Sequence, residues 1–385
     1  MRAHRNVFSG LFIAATLAAT AAVAAPAKEP SRDEVVATQL LPRSVKQSLQ
    51  RLVVKSDSEL SAPQRLATVQ SLIEAGRSTG DPRTLGYAEA MLAVWPATGR
   101  DTPTDALVLR ATIEQSRHNF DAARTLLDDV LAREPQHAQA LLTRSTIAQV
   151  TGDHAAARRD CTSLRARNVD AAAICAASVD VLTGQLDSAT NVLRIAATRT
   201  DGALRGWVLA TLAQAHEQRG ERHLAIAAYR TALSADNDLT TQLAYADALL
   251  DAGSIAEADS LLRTAPPSDG VLLRQWRIAR ALKRNESELS ERLRARFSAA
   301  AQRTASGDLL HARESALFAL DEGRAADALR LARENWRQQR DPSDALLLAR
   351  AARAARDAAA LSEIRTWIAS TGLRDVRIDA ALRGN

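Results

Sequence analysis

The chain has 385 residues, of which 46% are apolar and 25% charged, with a net charge of +5. That length would suit two or three globular domains, but no strand-like alternating run appears anywhere, which excludes a sheet-based fold. With only 3% aromatic residues, the chain lacks the basic segments interleaved with stacking rings that single-stranded nucleic acid requires, and no nucleic-acid partner is expected.

Residues 1–25 read as an export signal. Arg2 and Arg5 supply a positive start, Val7 to Ala22 carries no charge, and Ala22-Val23-Ala24 is a small-x-small cleavage site, with Ala25-Pro26-Ala27 as a second candidate. The competing reading is a membrane anchor, for which the apolar stretch is short. Lys28, Lys46, Lys55 and Lys283 are the only lysines, an arginine bias that suggests a bacterium of high genomic GC content; export from such a cell leads to the periplasm or beyond. Residues 26–60 form a polar segment with Pro26, Pro30 and Pro42, followed by a short amphipathic helix at Ser44 to Ser56. Residues 61–103 form capping helices: one opens at Ser61-Ala62-Pro63 and closes at Gly76, and its partner runs from Leu85 to Trp95, where Pro96 stops it.

Residues 104–370 carry a repeat. Gly152, Gly184, Gly220, Gly253 and Gly323 are spaced by 32, 36, 33 and 70 residues, the last gap being two units. Seven residues before each stands Ser145, Ala177, Ala213, Ala246 or Ala316; five after it stands Ala157, Ala189, Ala225, Ala258 or Ala328. A period near 34 predicts helical hairpins. Each glycine ends a helix A in a left-handed turn, and the two small residues mark where helices A and B cross closely. Nine residues after each glycine, Cys161, Leu193, Tyr229, Leu262 and Ala332 point toward the next unit. Residues 371–385 form a final capping helix from Leu373 to Leu382.

The pattern resembles the tetratricopeptide repeat (TPR) superfamily. The unit from Thr104 to His137 carries Ala111, Phe120, Ala123, Leu127, Val130 and Pro135 at the family's spacing, with His118 in place of the turn glycine. The unit from Val271 to Ser306 is degenerate, with Asn285 near the expected glycine. The resemblance covers about Pro63 to Ala369 and implies an all-α, right-handed superhelical solenoid whose A helices line a concave groove. Counted from the small residues, that groove should receive Val108 and Thr112, Leu142 and Thr146, Ile174 and Ser178, Ala210 and Gln214, and Leu243 and Asp247; the alternative is that these residues pack between A helices. Chaperone-binding members clamp a carboxylate with lysine and asparagine at such places, which this chain lacks.

Catalytic signatures are missing: there is no HExxH, nucleophile elbow, phosphate-binding glycine loop or CxxC, and neither cofactor nor metal is expected. The segment Arg274 to Arg303 is net +6, and Arg274, Arg277, Arg280 and Arg284 form a candidate docking patch for an acidic partner or anionic envelope surface, or else a solvated helix face. Cys161 and Cys175 lie symmetrically about the turn near Asn168 and are candidates for a disulfide, or for two buried thiols. The reading is a non-catalytic scaffold or adaptor that binds an envelope protein in its groove. A glycan- or cell-wall-processing factor is the alternative; Trp95, Trp207, Trp276, Trp336 and Trp367 are dispersed among units. Export predicts a mature chain beginning at Ala25 or Lys28, read by N-terminal sequencing of protein purified from the envelope; recovery of intact Met1 excludes it.

Overall fold

The computed structural model describes residues 60–304 and 311–383, so the export signal and the Ser44 to Ser56 segment lie outside the described residues. The described residues are helical, without a strand. Nine hairpins follow one another. The first is α1 (Ala62–Thr79) with α2 (Arg83–Leu92), then α3 (Thr104–Ser116) with α4 (Phe120–Arg133), and α5 (Ala138–Thr151) with α6 (His154–Leu164). Next come α7 (Val169–Leu182) with α8 (Leu186–Ala197), α9 (Gly202–Gln218) with α10 (Arg222–Ala235), and α11 (Leu239–Asp251) with α12 (Ile255–Leu262). The last three are α13 (Asp269–Ala281) with α14 (Ser287–Thr304), α15 (Ala312–Asp321) with α16 (Ala325–Gln338), and α17 (Pro342–Ala354) with α18 (Ala358–Thr371); α19 (Val376–Arg383) ends the stack.

The five repeat glycines have φ between 75° and 85°, a region closed to side chains at low cost. The small residues before and after them are buried, with Ala213, Ala246, Ala316, Ala189, Ala258 and Ala328 at 0% exposure. Three turns take the same left-handed conformation without glycine: His118 (φ 61°), Lys283 (φ 53°) and Arg356 (φ 55°). Lys283, not Asn285, is therefore the turn of the degenerate unit. Seven residues before it stands Trp276, buried at 3%, where the other units place a small side chain. Its ring meets Phe318 edge-on at 4.9 Å. Gly76 does not close α1; it lies inside the helix, where a Cβ would stand 2.6 Å from Thr84 Oγ1, and Gly80 at φ 65° is the cap.

Cys161 on α6 and Cys175 on α7 are joined by a disulfide, with Cα atoms 5.4 Å apart. The bond staples the B helix of one unit to the A helix of the next. Closing a loop of this length limits the unfolded chain and stabilises by about 3 kcal/mol in the entropy picture.

The stack coils until it meets itself. The Arg340 amide, just before α17, donates to the Val150 carbonyl at the end of α5 (2.7 Å). Gln339 contacts the His118 ring at 3.0 Å, Arg77 at the end of α1 reaches Asp238 before α11 at 3.5 Å, and Arg377 on α19 pairs with Glu217 on α9 at 3.1 Å. One edge of the first five units thus lies on the opposite edge of the later ones. Glycine serves twice along this seam. A Cβ on Gly184 would stand 2.1 Å from the Gly372 carbonyl oxygen, whereas one on Gly323 would meet nothing within 4 Å. Gly323→Ala is expected to cost about 1–2 kcal/mol, the strain of a left-handed alanine alone, and Gly184→Ala clearly more. Urea unfolding measures both; equal losses would show that the edges do not touch.

Candidate interaction cavity

The coil curves around a central cavity of about 750 Å³, partly open to solvent and walled mainly by the A helices α5, α7, α9, α11, α13, α15 and α17 and by α19. Helices pack their small residues against their B partners, so the side chains one position further round each A helix turn inward. The wall has two characters. On α5, α7 and α9 it is mostly uncharged, with Thr146, Gln149, Ser178, Thr211, Gln214 and Trp207, which is 37% exposed; Glu217, near the end of α9, is the exception. From α11 to α17 it is charged. Six arginines and six carboxylates line the cavity in all, so the interior favours neither sign.

The charges interleave as a ladder across successive helices. Arg274 on α13, 6% exposed, pairs with Asp247 on α11 (Nε–Oδ1 3.1 Å) and lies 3.9 Å from Glu314 on α15. Arg277 bridges Asp247 at 3.3 Å and Asp321 at 2.6 Å. Arg313 on α15 stands 3.5 Å from both Asp341 and Asp344 at the start of α17. Burial works against ionisation of Asp247, but Arg274 and Arg277 outweigh it and hold its carboxyl below the usual range. Glu217 behaves oppositely: burial pushes its carboxyl up, against Arg377 and the hydrogen bond donated by the Tyr229 hydroxyl (3.0 Å).

Protein-family models and curated proteins show no match to the chain. Solved structures do. The Cut9–Hcn1 hetero-tetramer of the APC/C aligns with a TM-score of 0.52 at 14% identity, over 87% of this chain and 65% of that chain, so this chain spans just under two thirds of its length. A tetratricopeptide repeat protein from Parabacteroides merdae aligns at 14% identity over 74% of this chain and 98% of its own (TM-score 0.37). PilF from Pseudomonas aeruginosa aligns at 18% identity over 54% and 93% (TM-score 0.37). The likeness to the Cut9–Hcn1 structure is one of fold, a solenoid of stacked helical hairpins.

Within this helical solenoid the residues predicted for the groove divide. Thr146, Ser178, Gln214, Leu243 and Asp247 line the cavity. Val108 and Ile174 are buried in the core between neighbouring units, Leu142 and Ala210 pack against it, and Thr112 donates its hydroxyl to the Val108 carbonyl on α3, outside the cavity. The first member of most pairs sits one turn earlier, where adjacent A helices touch. The groove expected from the sequence takes the form of a deep hollow that is still open on part of its rim, because the coil curves back on itself.

The candidate basic patch is corrected as well. Arg274 and Arg277 face inward and are consumed by the ladder. Arg280 donates to the Asp321 carbonyl oxygen at 2.8 Å and lies over the Trp276 ring at 4.6 Å. Arg284 pairs with Asp259 at 3.0 Å and Arg294 with Glu322. Carboxylates of neighbouring units neutralise a segment that is strongly positive on its own. Sequence reasoning missed Arg313, Leu317, Leu346 and Arg350, yet the signal was present: the same count continued from Ala316 and Ala349 reaches all four. Trp207 and Arg377 carried no such signal, since coil closure brings them in. His216 lies 2.6 Å from Glu221, and no cluster able to hold a metal occurs among the described residues.

Asp247→Asn removes the charge that offsets nearly buried Arg274. About 2 kcal/mol should be lost at neutral pH, less than for a fully buried pair because the carboxylate keeps 34% of its surface toward the cavity. A lowered carboxyl pKa contributes stability above the unfolded-state value and loses it as pH falls through the folded one. The gap between the two proteins should therefore close below about pH 4. Unfolding curves across that range check it; a constant gap would mean the ladder is not ionised.

Proposed function

We propose that the protein is a non-catalytic interaction scaffold of the cell envelope, exported through its N-terminal signal, and that its cavity clasps a short segment of a protein partner. One observation carries this reading: a concave wall with equal numbers of arginines and carboxylates beside neutral Thr, Ser and Gln side chains. Such a wall complements a polypeptide carrying both signs and backbone amides, and repels neither. Its volume lies in the range of ligand pockets, about 300–1,000 Å³, which suits a short segment better than a whole helix. Chemistry, on this reading, belongs to the partners.

A glycan is the second reading, favoured by Trp207 beside Gln149, Thr211 and Gln214. It stands behind the first because Trp276 and Trp336 are buried at 3% and 4% and the sugar-stacking surface reduces to one ring. A photoreactive amino acid at Gln214 distinguishes the two in living cells. The expected product is a covalent adduct with one polypeptide, suppressed by Asp247→Arg and not formed from outward-facing Leu224. An adduct with cell-wall glycan supports the second reading. Identical products from both positions would show that the cavity binds nothing specific.

A further inference from the structure

One edge of the solenoid carries an uncommitted charge pattern. The α6–α7 connection contains Arg165 and Arg167; the α8–α9 connection contains Arg199, and Arg205 follows in the first turn of α9. All four are exposed, and their guanidinium groups have no ion-pair or hydrogen-bond partner among the described residues. On the helices of the same units Arg144, Arg158 and Arg219 are each paired with carboxylates, whereas Arg159 and Arg222, like the four at this edge, are not. Because α7 and α9 pack side by side in the same direction, the two connections lie next to each other at one end of the helices. This is the edge of the early units that the later units leave uncovered.

Large apolar side chains stand among these arginines. Val169 opens α7 at 61% exposure, Leu204 occupies the first turn of α9 at 48%, and Ile195 lies near the end of α8 at 40%. Asp170 and Asp201 are the acidic residues here, fewer than the arginines. The pattern stops on either side. In the α4–α5 connection Glu134 accepts from Thr104 and His137 meets Asp105; in the α10–α11 connection Asp238 caps α11 and pairs with Arg77.

We propose that this edge docks on a bilayer containing anionic phospholipid. Unpaired arginines are drawn to a negative surface, and their stems reach the headgroups while apolar tips enter the boundary. The apolar groups project from an edge and form no cleft, which suits a flat fluid surface better than an acidic peptide. Docking here leaves the cavity free, so it is independent of what the cavity holds.

Flotation of the purified full chain with phosphatidylcholine vesicles, with and without phosphatidylglycerol, tests the proposal. Binding is expected with phosphatidylglycerol only, weakening as salt rises. Arg167→Glu/Arg199→Glu/Arg205→Glu should reduce it by roughly tenfold or more. Val169→Ser/Leu204→Ser, which leaves the charge unchanged, should reduce it severalfold; both variants sit on exposed positions, and circular dichroism verifies that they fold. Residues 7–22, if retained, would bind both kinds of vesicle alike and leave these differences intact. Absence of any phosphatidylglycerol dependence, or undiminished binding by the folded triple variant, overturns the proposal. Binding to polyglutamate without vesicle binding overturns it too and assigns the edge to an acidic polypeptide.

Discussion

Everything in this molecule depends on how closely two helices can approach at their crossing. With alanine or serine on both sides, the axes come near enough for the turn between them to be two or three residues long. That short turn demands a left-handed residue, and the resulting hairpin has a fixed tilt. Stacking hairpins of fixed tilt gives a coil, and the tilt decides whether the coil stays open. Here it is tight enough to bring Val150 against Arg340. The seventh unit is the exception that shows the constraint at work. Trp276 occupies the place of a small residue, and its bulk is accommodated because Phe318, Leu293 and Phe297 form a local cluster around it.

The charged ladder is a consequence of the same coiling. A flat array of A helices would leave Asp247, Arg274, Arg277 and Asp321 in bulk water, where exposed pairs contribute little. Wrapped around a cavity, they lose part of their hydration and must be matched. The match runs between units: Asp247 comes from α11, Arg277 from α13, Asp321 from α15. Each unit supplies charges that its neighbours compensate, so the ladder also fixes the order in which units can stack.

What the sequence made legible follows from the range of the interactions. The left-handed glycines, the small residues at the crossings and the buried positions five and nine residues after each turn act locally, and a 34-residue period displays them directly. His118 could be recognised as a turn because its unit is otherwise complete. Lys283 could not, because its unit lacks both the glycine and the small residue that set the phase. The capping role of Gly80 was hidden behind Gly76, whose absent side chain serves the packing of α1 on α2. The curvature that deepens the cavity was invisible for a different reason. It arises from contacts between residues such as His118 and Gln339, 221 positions apart, and no periodicity encodes where a coil will land on itself. The basic segment misled for the same reason: composition along the chain counts only local neighbours, whereas its carboxylate partners come from units before and after it.

The seam has a kinetic meaning. A linear array of repeats unfolds piecemeal, because each unit answers only to the two beside it. Contacts that join the third unit to the ninth, and the fifth to the terminal helix, add pairs far apart in sequence to a stack otherwise built from neighbouring helices. Loss of α19 at one end is felt at Glu217 in the middle, and fraying cannot spread inward without first breaking bonds made a full turn away. The closed coil thereby converts a one-dimensional lattice into a cooperative unit, slower to assemble than its helices alone would suggest and harder to unravel from either end.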